Sequence, residues 1–348
     1  MTTASQAAGV AIGVALLAGC RSAHHQQLVL QPIGAKSKHE LTLGAEVIHR
    51  RLGLLGMKKA TMETKPNGRL VITMRRKLPL GKQLLLVKPG SLAFYDLEAD
   101  LARPSKNARG DPIPASRLTG LLQRATGSAG RLFLVNAKGQ LVGGPQTTRR
   151  ALFAIAKLRG DVPKGAEVLA APANTTVVTC EAGPTNGCPG TNSPRGTFYY
   201  LFKYHPDRAS SPIPEVTGRD LMVSKAELGT QPAQGTGIVQ LSFKTSGNRK
   251  IHEITRNEAV RGQQAADAAG QGSSNDPATI SRFAQHFAIV LDGNLQSTPY
   301  ISYKDNPDGI DPTGSGAEIS NINSLGEAKE LALVLASGAL PFQYALVR

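Results

Sequence analysis

The sequence predicts an α+β fold, because helix-like and strand-like patterns are both present and lie in separate stretches. Residues 41–55 carry apolar side chains every three or four positions, which is the pattern of an amphipathic helix. Residues 239–243 alternate apolar and polar side chains, as a half-buried strand does. Asn67-Gly68 separates two short strand-like runs, a strong hairpin signal.

The first unit, residues 28–98, reads as a strand, the helix at 41–55, two strands at about 58–64 and 69–75, a short helix at 81–87 and a strand at 91–97. Thr42 is a candidate helix cap. Residues 99–212 follow as an insertion with a hairpin at 131–143 and a helix near 147–158. Within it, residues 162–194 are rich in Gly, Pro, Thr and Asn, which predicts a mobile loop.

The second unit, residues 213–322, contains the alternating strand, a helix at 249–260 and a loose loop at 262–276. A buried strand at 287–291 then turns at Asp292-Gly293 into a partner strand ending near 301. Residues 323–348 form a helix and a strand. Ser324 and Glu327 make a capping box at the start of this helix.

Charge restricts the partners that the chain can take. There are 40 Lys and Arg against 25 Asp and Glu, a net charge of +15, which favours anionic partners such as nucleic acid, anionic lipid or acidic polypeptide. The basic residues are dispersed and are not interleaved with stacking aromatics. We therefore expect no nucleic-acid partner and favour a basic protein near anionic headgroups.

The N-terminus predicts export. Residues 7–19 are apolar but too few to span a bilayer, and residues 1–19 read as a signal peptide. They end in Leu17-Ala18-Gly19-Cys20, which resembles the lipobox of bacterial lipoproteins. That resemblance implies lipidation of Cys20, with residues 20–27 as the lipidated cysteine and its tether. No Lys or Arg precedes the apolar run, and the alternative is a plain signal peptide with a chance cysteine.

With Cys20 lipidated, Cys180 and Cys188 remain as an even pair in an oxidising compartment. The sequence between them contains Gly and Pro and turns easily, so we expect a disulfide. The alternative is two free thiols. Zinc is disfavoured because no CxxC or nearby histidine pair completes four ligands.

The sequence carries no recognisable motif for catalysis or for a cofactor. The sequence has no Gly-x-Ser-x-Gly elbow, no Walker loop and no dinucleotide fingerprint. The acidic stretch 305–311 has Lys304 at the first ligand position of a calcium loop, which spoils that pattern. We predict neither an enzyme nor a cofactor or metal site, and we name no catalytic residue.

Several spaced motifs in the C-terminal half resemble one known family. They read FAIVLDG at 287–293, STP at 297–299, GSGAEIS at 314–320, EAKELA at 327–332 and SGALP at 337–341. Their order and spacing are similar to those of the first extracytoplasmic domain of the protein-export subunit SecD. Residues 216–221, 239–243 and, more loosely, 47–56 and 67–72 add to the resemblance, whereas 99–212 is only weakly similar.

The SecD resemblance implies a ferredoxin-like, discontinuous base with an inserted α/β head. The base would take residues 28–98 as its N-terminal part and residues 323–348 as the helix and strand returning to it; residues 213–322 would be the head. The chain departs from SecD because no apolar run of 18 or more residues follows the signal. We therefore carry over the domain and not the proton-driven work.

The function expected from these features is that of an accessory factor in protein export or envelope assembly. It would be lipid-anchored on the extracytoplasmic face of the cell membrane and would bind unfolded or translocating polypeptide, with the Sec translocon as a candidate partner. The alternative is an envelope lipoprotein that reuses the fold to bind another envelope component or a small ligand.

Overall fold

The computed structural model describes residues 26–34, 36–159, 162–183, 187–208, 210–228, 237–313, 317–322 and 324–347. Helices and several separate sheets confirm the α+β class. The predicted signal peptide at 1–19, Cys20 and the predicted tether up to residue 25 lie outside the described residues.

The base is a four-stranded sheet with two helices. Its strand order is β17-β1-β3-β2, and all neighbours are antiparallel, which is the order of a ferredoxin-like sheet. Its elements are β1 (Gln26–Pro32), α1 (Lys38–Leu54), β2 (Thr61–Thr64), β3 (Leu70–Met74), α2 (Leu80–Val87) and β17 (Tyr344–Val347).

Helix α1 begins at a capping box that the sequence analysis missed. The Ser37 hydroxyl accepts the Glu40 N–H at 3.2 Å, and the Glu40 carboxylate accepts the Ser37 N–H at 2.8 Å. The predicted cap, Thr42, lies inside the helix and its hydroxyl donates to the Lys38 carbonyl. The pattern Ser-x-x-Glu was therefore the decisive signal, because it satisfies two backbone donors at once.

The last strand pairs with the first, but the last helix does not cover the base. Strand β17 aligns Val29 with Val347. Helix α8 (Leu325–Ser337) packs Leu331 and Leu335 against Val239 and Leu241 instead. Helix α8 contacts α1 of the base, but its apolar face lies in a different core, so the expectation that it is the helix covering the base sheet is wrong. Helix α2 takes that place, with Leu86 fully buried in the base core.

The central sheet combines strands that the sequence analysis assigned to different units. The order is β10-β4-β13-β14-β8-β9, and β15 also pairs with β13. The strands are β4 (Leu92–Asp96), β8 (Thr175–Ala182), β9 (Gly196–Lys203), β10 (Val216–Thr217), β13 (Gln285–Leu291), β14 (Asn294–Ser297) and β15 (Tyr300–Ile301).

Two predictions fail at this sheet. Strand β4 was placed in the base unit 28–98, but it pairs with β13 and β10. Strand β8 lies within 162–194, which was read as a mobile loop. It consists largely of Thr and Val and is buried along most of its length. Its β-branched residues therefore make it a strand, although Gly, Pro and Asn flank it.

Two smaller sheets complete the fold. Sheet β6-β5-β7 lies in the insertion and carries α5, whose Leu152 is buried with Leu134. Sheet β11-β12-β16 carries α8. The elements not yet given are α3 (Leu97–Asp100), α4 (Leu118–Arg124), β5 (Ala129–Val135), β6 (Leu141–Gln146), α5 (Arg149–Arg159), β7 (Glu167–Pro172), the 3-10 helix Gly218–Asp220, β11 (Leu221–Leu228), β12 (Gly237–Phe243), α6 (Thr245–Ala268), α7 (Pro277–Phe283) and β16 (Ala317–Ile322).

Helix α6 is twice as long as predicted and runs through Gly262, which was expected to begin a loose loop. A Cβ on Gly262 would lie 3.0 Å from the Phe283 carbonyl oxygen and 3.1 Å from the Tyr303 ring. Glycine there allows close packing of α7 and residue 303 on the helix, and this packing outweighs the low helix propensity of glycine.

Arg51 joins the base to both chain segments that connect it with the rest of the molecule. Its side chain is fully buried. Nε donates to Ser337 Oγ at 2.9 Å, and the Nη atoms donate to carbonyl oxygens of Leu85, Leu86, Lys88, Pro89 and Gly338. Burial lowers the pKa of the Arg51 guanidinium to about 10, so it stays charged at neutral pH.

We predict that Arg51→Ala lowers the free energy of unfolding by about 3 kcal/mol or more, because it leaves buried carbonyls without donors. The free energy of unfolding of Arg51→Lys should lie between those of the unmutated protein and Arg51→Ala, since one ammonium cannot span the same acceptors. Urea denaturation measures both. Arg50→Ala is the matched control. Arg50 makes one partly buried hydrogen bond, from Nε to the Ser337 carbonyl, so a loss as large as that of Arg51→Ala would contradict the assignment.

Candidate functional site

A groove of about 620 Å³ opens between the β14–β15 segment, the Cys180–Cys188 loop and α6. Its floor is apolar and its rim is polar. The floor residues are Ile251, Phe287, Leu295, Ile301, Ile310 and Ala317. Tyr300 stands on the rim with 53% of its surface exposed. Such a volume and lining are typical of ligand-binding clefts.

The predicted turn at Asp292-Gly293 is confirmed. It leads into the β14–β15 segment, which forms the first wall of the groove. Both residues have positive φ, 52° and 80°, as a tight hairpin turn requires. The Asp292 carboxylate accepts the Ser91 N–H at 2.7 Å, and burial raises the pKa of that carboxyl. Asp292 therefore has a structural role that ties the turn to the start of β4.

The partner strand is broken at Thr298-Pro299, which shapes the rim. Strand β14 pairs with the end of β13 and β15 pairs with its start. Pro299 has no N–H to donate, although its carbonyl accepts the Phe287 N–H at 3.2 Å. The break exposes residues 296–300 along the groove.

The opposite wall belongs to the cysteine loop. Cys180 and Cys188 are bonded in the structure, with Cα atoms 6.0 Å apart, and both are buried. The Tyr200 hydroxyl donates to the Pro189 carbonyl at 2.6 Å and fixes the end of the loop. Cys180, Glu181 and Gly187 line the groove; residues 184–186 lie outside the described residues.

A third wall is built on α6. The Thr255 hydroxyl accepts the Ile310 N–H at 2.8 Å, and His252 Nδ1 lies 2.9 Å from the Ile310 carbonyl oxygen. These contacts hold the 305–311 segment against the helix. His252 and the acidic stretch thus serve the groove wall. Across the described residues, no group of three or more His, Cys, Asp or Glu side chains is arranged to hold a metal ion.

The groove also offers a strand edge and a local negative charge. Strand β16 pairs with β12 on one side, and no strand of the described ranges pairs with its other side. Among the lining residues, the charged side chains are Glu181 and Glu318. Thr197 donates to the Glu181 carboxylate at 2.9 Å. The groove is therefore acidic within a chain of net charge +15.

The sequence did not reveal the groove, because its walls come from residues about 140 positions apart. Single signals were present: the Asp292-Gly293 turn and Pro299 indicated the rim. The presence of both Glu181 and Glu318 along the groove had no local signal, since it depends on how β8 and β16 are placed. No helix of the described segments is long and apolar enough to cross a membrane.

Residues 209–342 match the family model of the SecDF P1 head subdomain. The resemblance predicted from the sequence is confirmed. The matched range contains the floor of the groove and its first and third walls; Cys180, Glu181 and Gly187 lie outside it. Of the motif at 314–320, residues 314–316 lie outside the described residues.

Two curated relatives are similar to part of this chain. The protein translocase subunit SecD of Streptomyces coelicolor is 32% identical over 129 residues, covering 37% of this chain and 18% of that protein. The protein translocase subunit SecDF of Thermus thermophilus is 30% identical over 128 residues, covering 37% of this chain and 13% of that protein. The similar segment thus spans less than a fifth of either relative.

Solved structures of SecDF are similar as well. One, of a membrane component SecDF that enhances protein export, has a TM-score of 0.47 and 19% identity and covers 93% of this chain and 98% of that chain. A second, SecDF in a super-membrane-facing form, has a TM-score of 0.48 and 19% identity over 92% of this chain and 29% of that chain.

We predict that Cys180 and Cys188 form a disulfide in the native protein. Protein purified without reductant, alkylated and analysed by mass spectrometry should carry no label at either position. The loop is short, so the bond should add roughly 2–3 kcal/mol at most. Cys180→Ser is the control, because it should make Cys188 reactive. Alkylation at both positions in the unmutated protein would rule the bond out.

Proposed function

We propose that this chain is an extracytoplasmic accessory factor in protein export that binds emerging polypeptide in the groove. The observation that supports the proposal most directly is the apolar groove beside a strand edge that no other described strand pairs with, built mainly from the segment that matches the SecDF P1 head. The two curated relatives are protein translocase subunits by name. Work beside the Sec translocon is part of the proposal.

The groove suits an extended chain better than a folded one. A peptide that pairs with the outer edge of β16 would satisfy its backbone groups by β-strand addition. Alternate side chains would then point toward the apolar floor, because successive side chains of a strand face opposite sides. Binding through the backbone does not depend on sequence, which an export factor with many clients requires.

Glu181 and Glu318 add a preference for charge. Both carboxylates lie at the groove, and they would attract a segment with Lys or Arg beside its apolar residues and repel an acidic one. This preference is local, because screening limits the reach of the surrounding positive charge to about 8 Å at physiological salt.

We predict that Tyr300→Ala weakens binding of an unfolded peptide by about 5- to 30-fold, the change that 1–2 kcal/mol of an exposed aromatic contact produces. The probe is a fluorescent peptide with an apolar centre flanked by lysines, and fluorescence anisotropy reads out binding. Leu84→Ala is the matched control, since Leu84 is 50% exposed on α2 in the base.

The same peptide flanked by glutamates should bind more weakly to the unmutated protein. Glu318→Gln should narrow that difference. Equal affinity of the unmutated protein and Tyr300→Ala for the lysine-flanked peptide would exclude the groove as the binding site, and no binding of either peptide would exclude the proposed function.

We propose further that Cys20 is lipidated and anchors the protein at the extracytoplasmic face of the cell membrane. The support is the lipobox-like Leu17-Ala18-Gly19-Cys20 after an apolar stretch. We predict that Cys20→Ser abolishes labelling by radioactive palmitate and releases the protein from membranes. The double variant of Cys180 and Cys188 to Ser is the control and should label normally. Labelling that persists in Cys20→Ser would disprove the anchor.

A further inference from the structure

Five carboxyl groups converge where β4 runs into α3, where the chain returns before β10, and where α6 passes over both. We call this cluster the carboxylate junction. Its members are Asp96, Glu98, Asp100, Glu215 and Glu258. The basic side chains that face it from the neighbouring elements are Arg261 on α6, Lys106 after α3, Lys203 at the end of β9 and His286 at the start of β13.

Two of the carboxylates have basic side chains as partners, Asp96 with Arg261 and Glu98 with His286. Arg261 Nη2 lies 2.6 Å from both oxygens of Asp96. The Glu98 carboxylate accepts the His286 N–H at 3.0 Å and lies 2.8 Å from His286 Nδ1. Lys106 and Lys203 donate instead to the backbone carbonyls of residues 98 and 99. Within the described residues, Asp100, Glu215 and Glu258 form no ion pair.

Glu258 is the most isolated member. It is fully buried, and neither carboxylate oxygen has a hydrogen-bond partner among the residues that the structure describes. The neighbouring groups that act electrostatically on Glu258 are Asp96, Glu98, Arg261 and Glu215. An ionised carboxylate without a partner costs several kcal/mol or more in such a place, so burial raises the pKa of Glu258 well above its usual value. Burial without a partner therefore favours the protonated form of the Glu258 carboxyl.

Asp100 and Glu215 are joined to each other. Their side chains lie within hydrogen-bond distance, and two ionised carboxylates are acceptors only, so the contact requires a proton on one of them. Asp100 also accepts the Asp96 N–H at 3.1 Å. Burial raises the pKa of both groups; Asp100 raises the pKa of Glu215 further, whereas the hydrogen bond from Glu215 lowers that of Asp100.

We propose that the carboxylate junction is a proton-binding site that ties α6 of the head to both ends of the 99–212 insertion. One proton lies on Glu258 and one is shared between Asp100 and Glu215. Asp100 lies where the insertion begins and Glu215 lies just after it ends, so the shared proton joins the two ends of the insertion. No residue of the junction lines the groove, so this inference does not depend on polypeptide binding.

The sign of the pH dependence of stability follows from the raised pKa values of Asp100, Glu215 and Glu258. In the unfolded chain they ionise near pH 4, whereas in the folded protein they keep their protons to higher pH. Between those limits the folded state binds more protons, so stability falls as pH rises. At alkaline pH the carboxylates that remain buried repel one another, and the contact between the two ends of the insertion weakens.

Glu258→Gln tests the junction, with Glu253→Gln on the exposed face of the same helix as the matched control. Infrared difference spectra of the unmutated protein at pH 7 should show the carbonyl stretch of protonated carboxylic acid. Glu258→Gln should lose part of that band, and Glu253→Gln should keep all of it. Thermal melting should show Glu258→Gln about 3 °C or more above the unmutated protein at pH 8, with the difference vanishing near pH 5.

Glu215→Gln provides a second, independent measurement through hydrogen exchange of the amides at 97–100 and 213–217. Corrected for intrinsic rates, exchange there should accelerate above pH 9 in the unmutated protein and less in Glu215→Gln, because an amide can donate to Asp100 without a titrating proton. If the unmutated protein shows no protonated-carboxyl band at pH 7, or if the melting of Glu258→Gln follows the same pH profile as the control, the proposal is wrong.

Discussion

The buried guanidinium of Arg51 is the contact on which the arrangement of base and head depends. Helix α1 of the base carries it, and its acceptors are the C-terminal carbonyls of α2, the outgoing segment at 88–89 and the returning segment at 337–338. Helix C-termini carry partial negative charge, so two helix ends and one cation compensate each other away from water. Gly90 permits this approach: a Cβ there would lie 2.6 Å from Val334 and 3.1 Å from Arg51 Nη2.

The charges of the chain are sorted by position rather than mixed evenly. The chain as a whole is strongly basic, which suits a surface near anionic headgroups. Its interior gathers carboxyl groups that hold protons or basic partners at the carboxylate junction, and its groove is lined by the side chains of Glu181 and Glu318. Because screening confines each region to its own surroundings, a basic exterior and an acidic groove can act on different partners. Net charge alone therefore says nothing about which ligands the groove prefers.

The sequence predicted local features well and long-range ones poorly. The Asp292-Gly293 turn, the Ser324 cap, which accepts the Glu327 N–H at 3.1 Å, and the spaced motifs of the head depend on neighbouring residues. The assignment of α8 to the base failed because an apolar helix needs some sheet to cover, and the sequence does not say which. Glu258 had a readable signal: it continues the stripe of Ile251, Ile254 and Thr255 on α6, where an acidic residue on a buried face is unusual.

Helix α6 links the two sites that the head presents. Ile251 contributes to the groove floor and Glu258 to the carboxylate junction, and seven residues of helix separate them by about 10.5 Å. Thr255, between them, hydrogen-bonds the groove wall through the Ile310 N–H. A helix moves as one body over such a length, and Gly262 seats it against α7 and Tyr303. A shift of α6 at the junction would therefore displace the floor and the third wall of the groove together. The cysteine-loop wall would stay in place, because it is held by β8 and Tyr200, so the width of the groove depends on where α6 lies.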